Sequence, residues 1–267
     1  MSELDDMPES ISIDFSNGCP MKGEDFLIVH FNINCITAED RLEELTNVCN
    51  TMKIDCLVLT ETKIDETIPS NLLHIQGYHE PIRHDRNRHG GGTIVYVAQH
   101  LTFKHQLSLQ HDLFEHLWVD VKVCGKIYSV NALYRPSTQT SMDDYETFLS
   151  ATEEILTKLQ NHPTDNYVFA SDLNFGNVYS KMPILAPKPL DVSAPELFQM
   201  FGYTQLIDIP TRVTSDCISL IDLIYLHNID YVTCHGVLPR IADHEGIFVL
   251  FHCTQDKVFV QKKNIFD

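Results

Sequence analysis

Positive charge is scarce in this chain: 19 Lys and Arg stand against 37 Asp and Glu over 267 residues, a formal charge of −18. So acidic a composition repels phosphate backbones and, taken alone, speaks against nonspecific nucleic-acid binding. No apolar run approaches the roughly 20 residues of a membrane-spanning helix, and Met1-Ser2-Glu3-Leu4-Asp5-Asp6 is acidic where a secretory leader is basic. A soluble chain with no membrane partner, working in the nucleus or cytoplasm, is expected. The eight cysteines include no Cys-x-x-Cys pair, so the usual zinc modules and a disulfide framework are set aside in favour of reduced, scattered thiols. Internal repeats and low-complexity tracts are absent too. Apolar material is plentiful, and 43% hydrophobic residues suffice for a sizeable core and exclude disorder as a description of the whole.

Residues 1–25 carry seven acids and one base, Lys22, with little apolar periodicity, and read as a flexible acidic tail whose removal takes the charge from −18 to −12. From Phe26 to about residue 255 no linker divides the chain, and residues 256–267 read as a second tail. Within that domain, short β-branched runs alternate with amphipathic stretches, the pattern of an α/β protein. Strands are expected at Phe26–Asn32, Cys56–Glu61, Gly92–Ala98, Leu117–Val123, Lys126–Arg135, Asn166–Asn174, Leu220–Leu226, Tyr231–Leu238 and Ile247–Cys253. A first helix is expected to start with Thr37 as its cap, Leu42, Leu45, Val48, Cys49 and Met52 forming its apolar stripe. A second runs from about Asp143 to Asn161. A third runs from the cap Ser193 to a terminating Gly202, behind a proline-rich loop at Asn177–Asp191.

Several strands end in Asn, Asp, Glu or His, and in α/β sheets ligands gather at strand ends, where side chains converge above the core. These residues are Asn32 and Asn34, Glu61, Tyr134 and Arg135, Asp172 and Asn174, Asp222, and Asp243 with His244. Each has a plain structural reading: Glu61 as a solvated strand exit, Asp172-Leu173-Asn174 as turn chemistry, Asp243-His244 as a loop cap. Asp222 interrupts Leu220-Ile221-Asp222-Leu223-Ile224, and a carboxylate in an apolar strand costs several kcal/mol unless paired. Together the set reads differently. Glu61 and Asp243 are hard oxygen ligands suited to Mg²⁺. Asp222 suits a role orienting His244 and supporting its cationic form. Asn32 and Asn174 are neutral donors suited to the extra negative charge of a pentavalent phosphorus transition state.

In chain order, Phe31-Asn32-Ile33-Asn34, Thr60-Glu61-Thr62-Lys63, Gly90-Gly91-Gly92-Thr93-Ile94-Val95-Tyr96-Val97, Tyr134-Arg135-Pro136, Ser171-Asp172-Leu173-Asn174, Pro210-Thr211-Arg212, Leu220-Ile221-Asp222-Leu223-Ile224 and Ala242-Asp243-His244 follow one another. This series resembles the exonuclease–endonuclease–phosphatase superfamily, and within it the apurinic-type endonuclease domains of non-LTR, LINE-type retrotransposons. The resemblance spans about Asp25 to Cys253. It implies a DNase I-like α/β fold, a four-layer sandwich of two packed mixed β-sheets flanked by helices. It also implies a metal-dependent endonuclease that nicks target DNA to leave a 3′-hydroxyl for reverse transcription.

Carried over by position, Glu61 would bind Mg²⁺, or Mn²⁺ in its place, with Asn34 and Asp243. Asp172 would orient or deprotonate the attacking water, and Asn174 would hold that water or the phosphate. His244, supported by Asp222, would contact the scissile phosphate, with Asn32 and Tyr134 completing the pocket. Arg135 would contact a DNA phosphate, and the cationic segment Arg83-His84-Asp85-Arg86-Asn87-Arg88-His89 is either a solvated hairpin or, through Arg83, Arg86 and Arg88, a contact to the DNA backbone. Ser171 and Ala242 depart from the Gly and Ser usual before Asp-Leu-Asn and Asp-His, and a Ser beside Asp172 would crowd a tight turn. No reverse transcriptase region follows the last motif, so that partner is expected in cis in a longer polyprotein or in trans. Two other readings stay open: a phosphatase or phosphodiesterase acting on a lipid or small phosphoester, and an inactive relic that only binds. The Trp-Cys-Asp-Arg segment typical of inositol-phosphate members is absent.

Overall fold

The computed structural model describes residues 11–12, 25–113, 115–139, 141–162, 164, 166–174, 189–214 and 218–253. In chain order the elements are β1 (Ile11–Ser12), β2 (Asp25–Asn32), α1 (Arg41–Met52), β3 (Cys56–Thr60), β4 (Ile82–His84), β5 (Thr93–Val97), β6 (Thr102–His105), β7 (Glu115–Val123), β8 (Lys126–Tyr134), α2 (Met142–Leu159), β9 (Asn166–Asp172), α3 (Pro189–Met200), β10 (Thr204–Gln205), β11 (Arg212–Val213), β12 (Ile218–Ser219), β13 (Asp222–Leu226), β14 (Val232–Leu238) and β15 (Gly246–His252). A seven-stranded sheet has the order β1-β14-β15-β2-β3-β5-β4, a six-stranded sheet the order β10-β13-β9-β8-β7-β6, and β11 pairs with β12 in a small hairpin. Both large sheets mix parallel and antiparallel pairs: β2 runs parallel to β3, and β8 to β9.

The layering follows from the two-residue period of β2. Phe26 and Ile28 join Val58, Val95, Val119, Val121, Val130 and Ala132 in a core shared by both sheets, which continues to Phe148 and Ile155 of α2 and Phe198 of α3. The alternate residues Leu27, Val29 and Phe31 face the other way and pack with Leu57 and Leu59 against Leu45, Cys49 and Met52 of α1. Helix, sheet, sheet and helices therefore stack as the expected four-layer sandwich. Each large apolar side chain buried there contributes about 1.5–3 kcal/mol. No helix among the described residues is long and apolar enough to cross a membrane.

Expected and observed elements differ at their ends. Thr37 does not cap α1: Cys35 (φ 81°) and Asp40 (φ 58°) take left-handed backbone, which interrupts a right-handed helix, so α1 begins only at Arg41. Helix α2 starts behind Ser141, whose hydroxyl accepts the Asp144 N–H while the Asp144 carboxylate accepts the Ser141 N–H, a reciprocal cap. Helix α3 starts earlier than expected, at Pro189, taking the end of the proline-rich segment into the helix; residues 175–188 lie outside the described residues. It stops where expected, at Gly202 (φ +80°), with the N–H groups of Gly202 and Tyr203 closing on the carbonyls of Gln199 and Phe198. Strands β4, β6, β10, β11 and β12 were not foreseen, being two to four residues long and too short to show a period. Within the segment read as a tail, Ile11–Ser12 pair in parallel with β14 and Asp25 opens β2, while residues 256–267 lie outside the described residues.

One buried group makes the fold sensitive to acid. His116 of β7 is 1% exposed, and its Nε2 accepts the His111 N–H at 2.7 Å, a bond that a protonated ring cannot make. Burial, then the positive charge of His84, His111 and Lys158, pushes its pKa down to about 3. Because the folded value lies below the ordinary one near 6.5, this contribution is complete above pH 6.5 and drains away as the pH falls. Between pH 7 and pH 5 urea denaturation is expected to show about 2 kcal/mol of stability lost through this residue. His116→Gln keeps an acceptor and is expected to lose correspondingly less; an equal loss in both proteins would refute the assignment.

Candidate active site

Both sheets end their central strands at one rim. Asn32 and Thr60 are register partners at the ends of β2 and β3, and Tyr134 and Asp172 at the ends of β8 and β9. Asp222, the first residue of β13, lies directly opposite Asp172. Three hydrogen bonds then cross between the sheets: Asn32 Nδ2 to Asp172 Oδ2 at 2.8 Å, the Tyr134 hydroxyl to Glu61 Oε1 at 2.8 Å, and His244 Nδ1 with Asp222 Oδ2 at 2.8 Å. The inner face of β2 shows how the sequence prepares this rim, reading Phe26, Ile28, His30, Asn32 from core to edge.

Asp172 and Asp222 are both 0% exposed, and two buried carboxylates this close cannot ionise alike. Burial, then the Asp222 charge, drives the Asp172 pKa well above the ordinary carboxylate range. Burial works against the Asp222 charge too, but the His244 cation and the hydrogen bond between them outweigh it and hold Asp222 below its ordinary value. In turn burial opposes a charge on His244, while the attraction of Asp222 overrides it and raises the imidazole to about 9. The rim thus holds one carboxylate with heightened proton affinity beside an ion pair. Ligand atoms of Asp172, Asp222 and His244 all lie within 4.8 Å of one another, close enough to share a cation. The imidazolium already serves as the counter-charge there.

A second polar group adjoins the first. Glu61 Oε2 meets Lys63 Nζ at 3.0 Å, Lys63 also donates to Asn34 Oδ1, Asn34 Nδ2 donates to Asp243 Oδ1 at 3.0 Å, and Arg212 lies 3.6 Å from Asp243 Oδ2. Asn34, Glu61, Lys63 and Asn174 all have positive φ, between 43° and 52°. Backbone strain of this kind, about 1–3 kcal/mol per residue, persists only where surrounding structure enforces it, and it collects at functional sites. Gly91 and Gly92 supply part of the enforcement: their carbonyls accept the N–H groups of Lys63 and Thr62, and a Cβ on Gly91 would lie 2.1 Å from Glu115 Oε2. Glu61, Asn34 and Asp243 offer hard oxygen donors, and an ammonium already sits on two of them, so the chemistry of this group fits a small divalent cation.

The candidate DNA contacts fare differently. Arg135 is 3% exposed, with Nη1 donating to the Leu173 carbonyl at 3.1 Å, Nη2 to the Gln139 carbonyl, and the Tyr145 ring 5.3 Å away. It braces the loop after β8, and its guanidinium is held by these carbonyls inside the fold. Arg83 is likewise engaged by Asp85, the Ile68 carbonyl at 2.7 Å and Ser70 at 3.1 Å. Arg86 and Arg88 reach solvent but pair with Glu115 at 2.6 Å and Asp65 at 2.8 Å. Asn174 stands beside Asp172, its N–H on Asp172 Oδ1 at 3.3 Å and its amide on the Arg135 carbonyl at 2.9 Å. Ser171 crowds no turn; it lies within β9 and donates to the Leu223 carbonyl at 3.1 Å.

Three residues were not singled out from the sequence. Lys63 closes Thr60-Glu61-Thr62-Lys63, and its charge two positions from Glu61 was the visible signal. Thr211 is fully buried and accepts the N–H groups of Ile221 and Asp222 at 3.3 and 3.1 Å, while its carbonyl takes the Glu245 N–H at 2.7 Å, which ties the His244 loop to β13. His30 is a lone ionisable residue in the apolar run Leu27-Ile28-Val29-His30-Phe31, and strand alternation placed it on the same face as Asn32.

Residues 29–244 match the model of the endonuclease/exonuclease/phosphatase family. No curated protein sequence matches the chain significantly. Solved structures with the same fold include the endonuclease domain of TRAS1, a telomere-specific non-LTR retrotransposon, at 13% identity and TM-score 0.67 over 87% of this chain and 100% of that one. The AP endonuclease LMAP from Leishmania major is similar at 15% identity and TM-score 0.73, covering 94% of this chain and 96% of its own. The 3′ phosphatase NExo from Neisseria, solved with a product DNA hairpin, follows at 17% identity and TM-score 0.65 over 85% and 99%.

The buried position of Arg135 separates its two readings. Arg135→Ala is expected to cost about 2–4 kcal/mol of stability, since a charged donor to two carbonyls is removed, while the salt dependence of DNA affinity stays unchanged. A flattened salt slope with unchanged melting temperature would return Arg135 to the DNA interface.

Proposed function

The chain belongs to the endonuclease/exonuclease/phosphatase family, and on that premise we propose that it is a Mg²⁺-dependent DNA endonuclease that nicks target DNA and leaves a 3′-hydroxyl. The observation that carries this reading is the convergence of Asn32, Asp172, Asp222 and His244 from both sheets on one rim, with Glu61 tied in through Tyr134. The identities of the neighbours, a retrotransposon endonuclease domain and an AP endonuclease, support nucleic acid as the substrate. A reverse transcriptase, in cis in a longer polyprotein or in trans, would extend the new end.

Each residue has a task in an in-line displacement at phosphorus. Asp172, with its raised proton affinity, takes a proton from the attacking water as the new P–O bond forms. Asn32 fixes that carboxylate, and Asn174 beside it holds the water or a phosphate oxygen. The His244 imidazolium donates to a non-bridging phosphate oxygen and stabilises the extra charge of the transition state, while Asp222 keeps the ring protonated and oriented. The bond to the 3′ oxygen then breaks, its electron pair stays on that oxygen, and a proton from solvent water converts it to the 3′-hydroxyl. Glu61, Asn34 and Asp243 would hold Mg²⁺ or Mn²⁺, which when bound supplies positive charge to the phosphate and leaving oxygen. Since Arg86 and Arg88 are neutralised by Glu115 and Asp65, DNA affinity is weak and salt-sensitive.

Supercoiled plasmid incubated with protein and Mg²⁺ is expected to relax to open circles whose nicks a DNA polymerase extends directly. EDTA or Asp172→Ala abolishes the reaction, and His244→Ala lowers the rate about 10²–10³-fold. Phosphate release from a 3′-phosphorylated oligonucleotide or an inositol phosphate, without nicking, would favour the phosphatase reading. Inactivity towards every substrate would leave only binding.

A further inference from the structure

His30 lies behind the Asp222–His244 pair and takes no part in the scheme above. It is 0% exposed, on the face of β2 that meets the other sheet. Its Nε2 is 3.0 Å from the Thr60 hydroxyl, and its Nδ1 is 3.9 Å from Asp222 Oδ1. Neither His30 Nδ1 nor Asp222 Oδ1 meets a partner at hydrogen-bond geometry among the described residues, although the Thr211 hydroxyl lies near enough to help lower the Asp222 pKa. The two buried polar atoms face each other, next to a carboxylate whose second oxygen holds His244.

Chemistry allows one consistent proton arrangement. Burial pushes the His30 pKa down to about 4, so at neutral pH the ring is uncharged and carries a single proton. An ionised carboxylate only accepts hydrogen bonds, whereas a hydroxyl donates or accepts. With the proton on Nε2, the Nδ1 lone pair would confront the Asp222 charge across a dry interface. With the proton on Nδ1, Nε2 accepts from Thr60 and Nδ1–H points at Asp222 Oδ1. The gap exceeds a hydrogen bond by about 1 Å, and contacts of this kind tighten when substrate is bound.

We propose that His30 is a positioning residue: its Nδ1–H engages Asp222 Oδ1 and fixes the carboxylate plane, so that Oδ2 stays aligned on His244. Thr60, His30, Asp222 and His244 then form one chain from the core to the rim, and Asp222 is gripped from both sides. The mechanistic part of the proposal rests on the nuclease reading; the proton arrangement does not.

The two nitrogens can be replaced separately. The side-chain amide of Asn places a donor where Nδ1 stood, and that of Gln places one where Nε2 stood. His30→Asn is therefore expected to keep plasmid nicking within about threefold of the parent, while His30→Gln and His30→Leu lose at least tenfold in kcat with KM for plasmid unchanged. A purely structural role through Thr60 predicts the opposite order, with Gln the better substitute, and that order would overturn the proposal, as would parental activity in His30→Leu. Independently of activity, long-range ¹H–¹⁵N spectra of the unmodified protein at pH 7.5 should show His30 as the Nδ1–H tautomer. An Nε2–H signature overturns the proposal even in an active enzyme, and the Nδ1–H signature in a protein that nicks no DNA would sustain the arrangement while the nuclease reading fails.

Discussion

Asp172 and Asp222 face each other across neighbouring strands of the six-stranded sheet, both shut away from solvent, and the rim of the sandwich is arranged around keeping them there. Two like charges at this separation in a low-dielectric interior repel strongly unless one is neutralised or paired. The chain differentiates them. Asp222 receives His244 and becomes half of an ion pair, while Asp172 receives the neutral amide of Asn32 and is left with a raised proton affinity. An acceptor of protons beside a fixed imidazolium follows from this division, and the proposed attack on a phosphodiester draws on both.

Holding the pair requires the second sheet. His244 and Asn32 belong to the seven-stranded sheet and its loops, the two aspartates to the six-stranded one, so the site exists only where the sheets are clasped. The cost of ending apolar strands in polar groups is met by the core below, where the same strands bury Ile28, Val58, Val130 and Val168 completely. Function and fold thus share one interface: apolar through most of its depth, polar at one edge.

Most of this was legible in one dimension. The long strands announced themselves by β-branched runs, and the site residues by standing at their ends, because a two-residue period and a chain end at the sheet rim are local properties. The internal partners of the arginines were not legible. Arg135 turns inward onto the carbonyls of Leu173 and Gln139, and Arg86 and Arg88 meet Glu115 and Asp65 from distant segments, contacts that only the folded chain creates. Those pairings also sharpen the meaning of the net charge of −18, since the densest cationic segment is already spent on internal carboxylates. His30 was hidden for another reason: an apolar strand made it look like part of the core, and its neighbour in space is 192 positions away in sequence.

The division between the two carboxylates makes a direct statement about His244, namely that the metal-free protein holds it protonated at neutral pH. An NMR titration of its imidazole gives the most direct measurement. A midpoint near 9 that falls towards the ordinary value in Asp222→Asn is the expected result. A midpoint close to 6.5 in the unmodified protein would mean that Asp222 does not carry the charge assigned to it, and would contradict the account.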